Sequence, residues 1–221
     1  MVHPLPDDPT LDEIRMALSP LLAQHAAFDG WKDRAVIAAA DDLGIDGDVA
    51  ILALGNSAMA LIDAWIDSVD GEMGHRLPPE MLNAMKIRGR ITALIEARLD
   101  IMAPHKEALR RALAIMAMPA NLPKSLRIGW RSADRMWRLA GDDASDFNHY
   151  TKRMTLSAVY ASTIAVFIND DSQEFAETRG FLARRIENVM QFEKAKARVT
   201  ARRDLRPSLS RFVGRLRYPA K

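Results

Sequence analysis

Proline and glycine cut this chain into helix-length pieces, and little between the cuts alternates with the two-residue period of a strand. Apolar residues instead recur three and four apart. Leu11, Ile14, Leu18, Leu21 and Leu22 form one such stripe, opened by Thr10 three residues before Glu13. Pro20 is expected to bend that first helix, which closes at Phe28-Asp29-Gly30. Helices are then predicted over 31–43, 49–54, 57–69, 78–102, 105–118, 125–139, 146–168, 175–198 and 207–217. Residues 71–77 and 119–123 read as loops. With alanine, leucine, methionine, arginine and glutamate dominating, the chain reads as all-α, a bundle of nine or ten helices.

The first three helices are short, and the turn Gly44-Ile45-Asp46 between the second and third is tight enough for a helix-turn-helix. Residues 1–10 read as an extension and 11–55 as the three-helix unit. Residues 56–198 read as a larger bundle and 199–221 as a basic amphipathic tail. A helix-turn-helix followed by a ligand-sensing bundle is the layout of TetR-type repressors, and Phe28-Asp29-Gly30-Trp31 resembles that family too.

Charge argues against the DNA-binding half of that likeness. Residues 11–70 hold eleven acids and three bases, Arg15, Lys32 and Arg34. No Lys or Arg lies between Arg34 and Arg76, and the recognition segment Val49-Ala50-Ile51-Leu52-Ala53-Leu54 has no base-reading side chain. The expectation is a three-helix packing unit that binds no nucleic acid, with a ligand-sensing regulator as the alternative. The overall charge of +2 hides this, because residues 194–221 carry ten bases against the single acid Asp204.

Chemistry is sparse. There is no cysteine, and no phosphate-binding loop, dinucleotide fingerprint or nucleophile elbow. Glu72-Met73-Gly74-His75 is the one pair with di-iron spacing, and it has no second copy. No catalytic residue, metal or cofactor is expected. The acidic opening Met1–Asp8 has neither a signal-peptide nor a transit-peptide pattern.

In the tail, Leu205, Leu209, Phe212, Val213 and Leu216 fall on one helical face, with Arg211 and Arg215 among the bases around it. This pattern suits a helix lying in a membrane interface, apolar side down and arginines on anionic headgroups. Docking on the chain's own bundle is the alternative.

The run Asp146-Phe147-Asn148-His149-Tyr150-Thr151-Lys152-Arg153 closely resembles the Coq-nine family of ubiquinone-biosynthesis proteins. The likeness extends through Val159-Tyr160, Asn169-Asp170-Asp171-Ser172, Phe175, Thr178 and Phe181-Leu182, and back through Trp130–Asp134 and Lys86-Ile87-Arg88. It implies a TetR-like fold that has lost DNA binding. It also implies a pocket for an isoprenoid quinone precursor or a phospholipid, a C-terminal membrane helix, and docking to the demethoxyubiquinone hydroxylase or another ring hydroxylase of the pathway. Such a protein presents a lipid rather than transforming it, peripheral on the cytoplasmic side of the inner membrane, and a homodimer is compatible with it. In the family the fourth position of the run is commonly Trp within a partner-facing patch made here by Asp146, Asn148, His149 and Tyr150; His149 departs from it. From the residues themselves, Tyr150, Met154, Ser157 and Ala161 lie on one helical face, which serves either close packing or a lipid tail. Arg153 would suit a phosphate headgroup there, or an ion pair with a nearby acid.

Overall fold

A computed structural model describes Pro6, residues 8–142 and residues 147–204, except for the side chains of 147, 148 and 192–204. Among these residues there are eleven α-helices, three short 3-10 turns and no strand. The compact units are two, one ending at Leu182 and the other beginning at Ala183.

The first stripe forms as two helices, α1 (Leu11–Leu18) and α2 (Leu22–Asp29). The Thr10/Glu13 capping box is present, with the Thr10 backbone N–H donating to Glu13 at 2.8 Å. Pro20 does more than bend: it has no N–H to give, and the helix stops around it. α3 (Asp33–Leu43) ends at Gly44, whose φ of 67° is the left-handed conformation that glycine takes without strain. Asp46 then caps α4 (Gly47–Leu54), accepting from Asp48 N at 2.9 Å and Val49 N at 3.1 Å.

The helices that follow are α5 (Ala58–Arg76), α6 (Pro79–Asn83), α7 (Ile87–Met102), α8 (Lys106–Met116), α9 (Leu122–Leu139), α10 (Phe147–Phe167) and α11 (Ala176–Asp204), the last of which crosses from the first unit into the second. Two expectations need correcting. Residues 71–76 are the last turns of α5 rather than a loop, so Glu72 and His75 lie on a helix, with Glu72 ion-paired to Arg76 at 2.8 Å. The segment 78–102 is not one helix: it breaks at Ala84–Lys86, where Lys86 is extended. Arg90 takes up carbonyls at the break, donating to Met85 O at 3.0 Å and across to Ala140 O at 2.8 Å. The 3-10 turn 119–121 leads directly into α9, three residues earlier than expected.

The N-terminal helices are joined to the bundle by a packed core. Trp31 lies 5.3 Å, centroid to centroid, from Trp65 of α5, and its indole N–H donates to Ala108 O of α8 at 3.1 Å. Deeper in, Asp70 of α5 is ion-paired with Arg98 of α7, both fully buried. Ser132 of α9 donates to the other oxygen of Asp70 at 2.8 Å, and Arg98 Nε donates to the Tyr160 hydroxyl of α10 at 3.0 Å. One polar network therefore joins four helices. Buried charge of this kind is tolerated only with such complete partnering.

Candidate functional site

α9 and α10 pack side by side and present an apolar and aromatic face to solvent. α9 is strongly amphipathic. Ile128, Ser132, Ala133 and Met136 are buried, while Leu122 and Leu126 point outward, Leu126 with 74% of its surface accessible. One turn on from Leu126, Trp130 reaches α10. Its ring lies 6.4 Å from that of His149 and 6.0 Å from that of Tyr150, and the last two rings meet edge to face at 5.2 Å. Met154, 64% exposed, continues the strip one turn further along α10. The exposed charged side chains of α9 are all bases, Lys124, Arg127, Arg135 and Arg138, the last paired with Asp134 at 2.7 Å.

A buried ion-pair cluster fixes the two helices together. Arg153, 1% exposed, donates from Nε to Asp134 at 2.6 Å, and from Nη1 to Asp142 at 2.9 Å and to His149 O at 3.2 Å. Lys152 is paired with Asp142 and lies 5.4 Å over the Trp137 ring, whose N–H donates back to Lys152 O at 3.1 Å. Burial would raise the Asp142 carboxyl, but hydrogen bonds from Lys152 and Arg153 outweigh it and hold it below the usual carboxylate range. Arg153 is therefore engaged with carboxylates, the alternative that its residue type left open, and is not presented as a headgroup ligand.

The other residues singled out from the sequence are placed as follows. Tyr150, Met154 and Ala161 face outward on α10, and Ser157 is half-buried. They form an open helical surface. His149 is half-buried beside Trp130. Asp146, the Asn148 side chain and the membrane set Leu205, Leu209, Arg211, Phe212, Val213, Arg215 and Leu216 lie outside the described residues. Sequence reasoning missed Leu122 and Leu126 as exposed members of this face and gave Trp130 no role. The strong amphipathicity of α9 was the available signal for the leucines. The contact of Trp130 with Tyr150, twenty positions away on another helix, had none.

A second anchor holds the start of α11. Asp170, almost fully buried, accepts from Ser172 N and Thr178 N at 2.9 and 2.8 Å, and from both hydroxyls at 2.5 Å. Those hydrogen bonds override its burial and keep the carboxyl well below its ordinary range.

The fold is that of the TetR proteins. The chain superposes on the TetR transcriptional regulator from Nitrosomonas europaea with a TM-score of 0.63 and 22% identity, over 80% of this chain and 97% of that one. Within the chain, residues 122–193 match the COQ9 family model, a stretch that takes in α9, α10 and the start of α11. The chain is 32% identical over 168 residues to the mitochondrial ubiquinone biosynthesis protein COQ9 of Rattus norvegicus, covering 73% of this chain and 54% of the relative. Against the Homo sapiens protein of the same name it is 31% identical, over 73% of this chain and 52% of that one. It spans about half the length of these relatives.

Proposed function

We propose that this chain is a non-catalytic accessory protein of ubiquinone biosynthesis that holds a polyprenylated quinone precursor or a phospholipid and presents it to a ring hydroxylase at a membrane. The observation that carries the reading is the coincidence of two things. The residues that match COQ9 are those that build the exposed strip Leu126–Trp130–Tyr150–Met154. An exposed apolar and aromatic strip is the anatomy of a docking surface, its aromatic centre supplying most of the binding energy.

On this reading His149, Tyr150, Asp146 and Asn148 contact the hydroxylase, with Trp130 providing the large ring beside His149. Tyr150, Met154, Ser157 and Ala161 carry the isoprenoid tail along α10. Arg153 positions the face and does not touch the ligand. Residues 205–217 lie on the membrane. No single described helix is long and apolar enough to cross one.

Capture of the demethoxyubiquinone hydroxylase by the purified protein tests the docking claim. Leu126→Asp with Tyr150→Ala should reduce capture at least about ten-fold without lowering Tm. Equal capture by the variant would refute it. Lipid extraction and mass spectrometry of protein from a quinone-producing host should recover an isoprenoid or a phospholipid. In liposome flotation, Phe212→Glu with Leu216→Glu should abolish binding.

The regulator reading is weakened by α4. Its exposed side chains are Asp48, Val49 and Leu52, and none can donate a hydrogen bond or a positive charge to a phosphate.

A further inference from the structure

Residues 11–70 contain only three bases, and two of them share one cleft. It is an open cleft of about 790 Å³ between the start of α3, the start of α5 and the outer side of α8. Trp31, Ala58, Ala114 and Ile115 form an apolar wall. Lys32, Arg34 and Arg111 supply cations, with Asp33 and Asn56 also on the lining. Trp31 is fixed by its hydrogen bond to Ala108 O and its contact with Trp65, so the floor is rigid. The alanines leave room above it.

Two of the cations have carboxylate partners. Arg34 pairs with Asp29 at 2.9 Å and Arg111 with Glu107 at 3.0 Å. Both pairs are open to solvent, hence weak, and so readily exchanged for a ligand anion. Lys32 is exposed, and its ammonium has no partner among the described residues. The volume falls within the roughly 300–1,000 Å³ of small-molecule clefts. An inorganic anion would meet the cations but leave the apolar wall wet. An uncharged alkyl chain would cover the wall and leave the cations unused.

We infer that this cleft binds an anionic amphiphile, a single carboxylate or phosphate head on an alkyl or aryl body. The head lies between Lys32 and Arg111, and the body lies on Trp31, Ala58, Ala114 and Ile115. This site is separate from the α9–α10 face and does not depend on the function proposed for that face.

Titration of the isotope-labelled full chain with dodecyl phosphate, below its micelle concentration, tests the inference. Saturable shifts are expected at the Trp31 indole N–H and at the amides of Asp33, Asn56 and Ile115. Dodecanol and inorganic phosphate should each bind at least about ten-fold more weakly. Binding of dodecyl phosphate should weaken as salt rises. Lys32→Glu with Arg111→Glu should cost about ten-fold or more in Kd, and Ala114→Trp, an exposed position, should fill the cleft and abolish the shifts. Met154→Glu, on α10, should leave the affinity unchanged. Equal binding of dodecanol, saturation by inorganic phosphate at the same concentration, or unaltered binding by the charge-reversed variant would overturn the inference. So would loss of binding in Met154→Glu, since the amphiphile would then be on α10; that result would leave the function proposed for α10 standing.

Discussion

Two helices of this molecule expose apolar side chains. α4 exposes Val49 and Leu52 beside Asp48, in the helix-turn-helix of a TetR-like fold. α9 exposes Leu122 and Leu126 on a helix whose exposed charged side chains are all basic, in the region that matches COQ9. The apolar residues are alike; the charges around them are opposite. The fold decides which helix faces outward, and its charges decide what that helix can approach. Phosphates are repelled from the first face and attracted to the second. Within one TetR-like architecture, the charges on a single helix therefore change without any change in how the helices pack.

The contrast can be broken hardest at its support. Arg153→Met removes the buried guanidinium that bridges Asp134 and Asp142, leaving them only Arg138 and Lys152, and should cost about 1–3 kcal/mol. Chemical denaturation measures it, and hydrogen exchange should place the loss on α9 and α10 while α3 and α4 stay protected. Next comes the face itself. Leu126→Asp should reduce hydroxylase capture about ten-fold, which corresponds to roughly 1.4 kcal/mol, whereas Leu52→Asp on α4 should leave capture unchanged. A loss with Leu52→Asp would show that the two faces do not differ in function. Then the cap: Asp46→Ala should destabilise by about 1 kcal/mol through the loss of its two amide contacts at the start of α4. The smallest effect is Leu52→Ser, expected within about 0.5 kcal/mol of the parent because the side chain is already in water.

Acid should act on the region that matches COQ9. Asp142 and Asp170 both have carboxyls held below their usual range, so the unfolded chain takes up protons first as pH falls. Each stabilises the folded state above roughly pH 4, the ordinary Asp value, and that contribution is lost as pH drops through the folded-state values. Thr178→Val should flatten the acid limb of a Tm-against-pH curve. An unchanged limb would rule out Asp170 as its source.

Local chemistry explains how much of this was readable in advance. The Thr10/Glu13 box and the left-handed Gly44 act within four residues, and each forms as the sequence implies, whereas the Asp46 cap starts α4 two residues before the expected position 49. Gly71 and Gly74 each disfavour a helix by about 1 kcal/mol, so the sequence points to a loop where α5 ends. Met73, between them, is wholly buried, and its packing carries the helix through. The break before α7 has no proline or glycine at its centre. It is stabilised by Arg90, whose second partner, Ala140, is fifty residues away. The candidate face shows the same limit. Tyr150 and Met154 could be assigned to one side of α10 from their spacing. That Arg153 is paired with Asp134 and Asp142 depends on how α9 turns back toward α10, which no helical period encodes.

The buried Asp70–Arg98 pair has a mechanical consequence. Its carboxylate grips α7 and α9, and its guanidinium grips α5 and α10. If one of these helices slid by a turn, it would strand a charge in the core. The aromatic strip on the outside is thus bolted to a charge in the centre: whatever lands on it meets a surface shaped in advance, and the four helices must answer any push together.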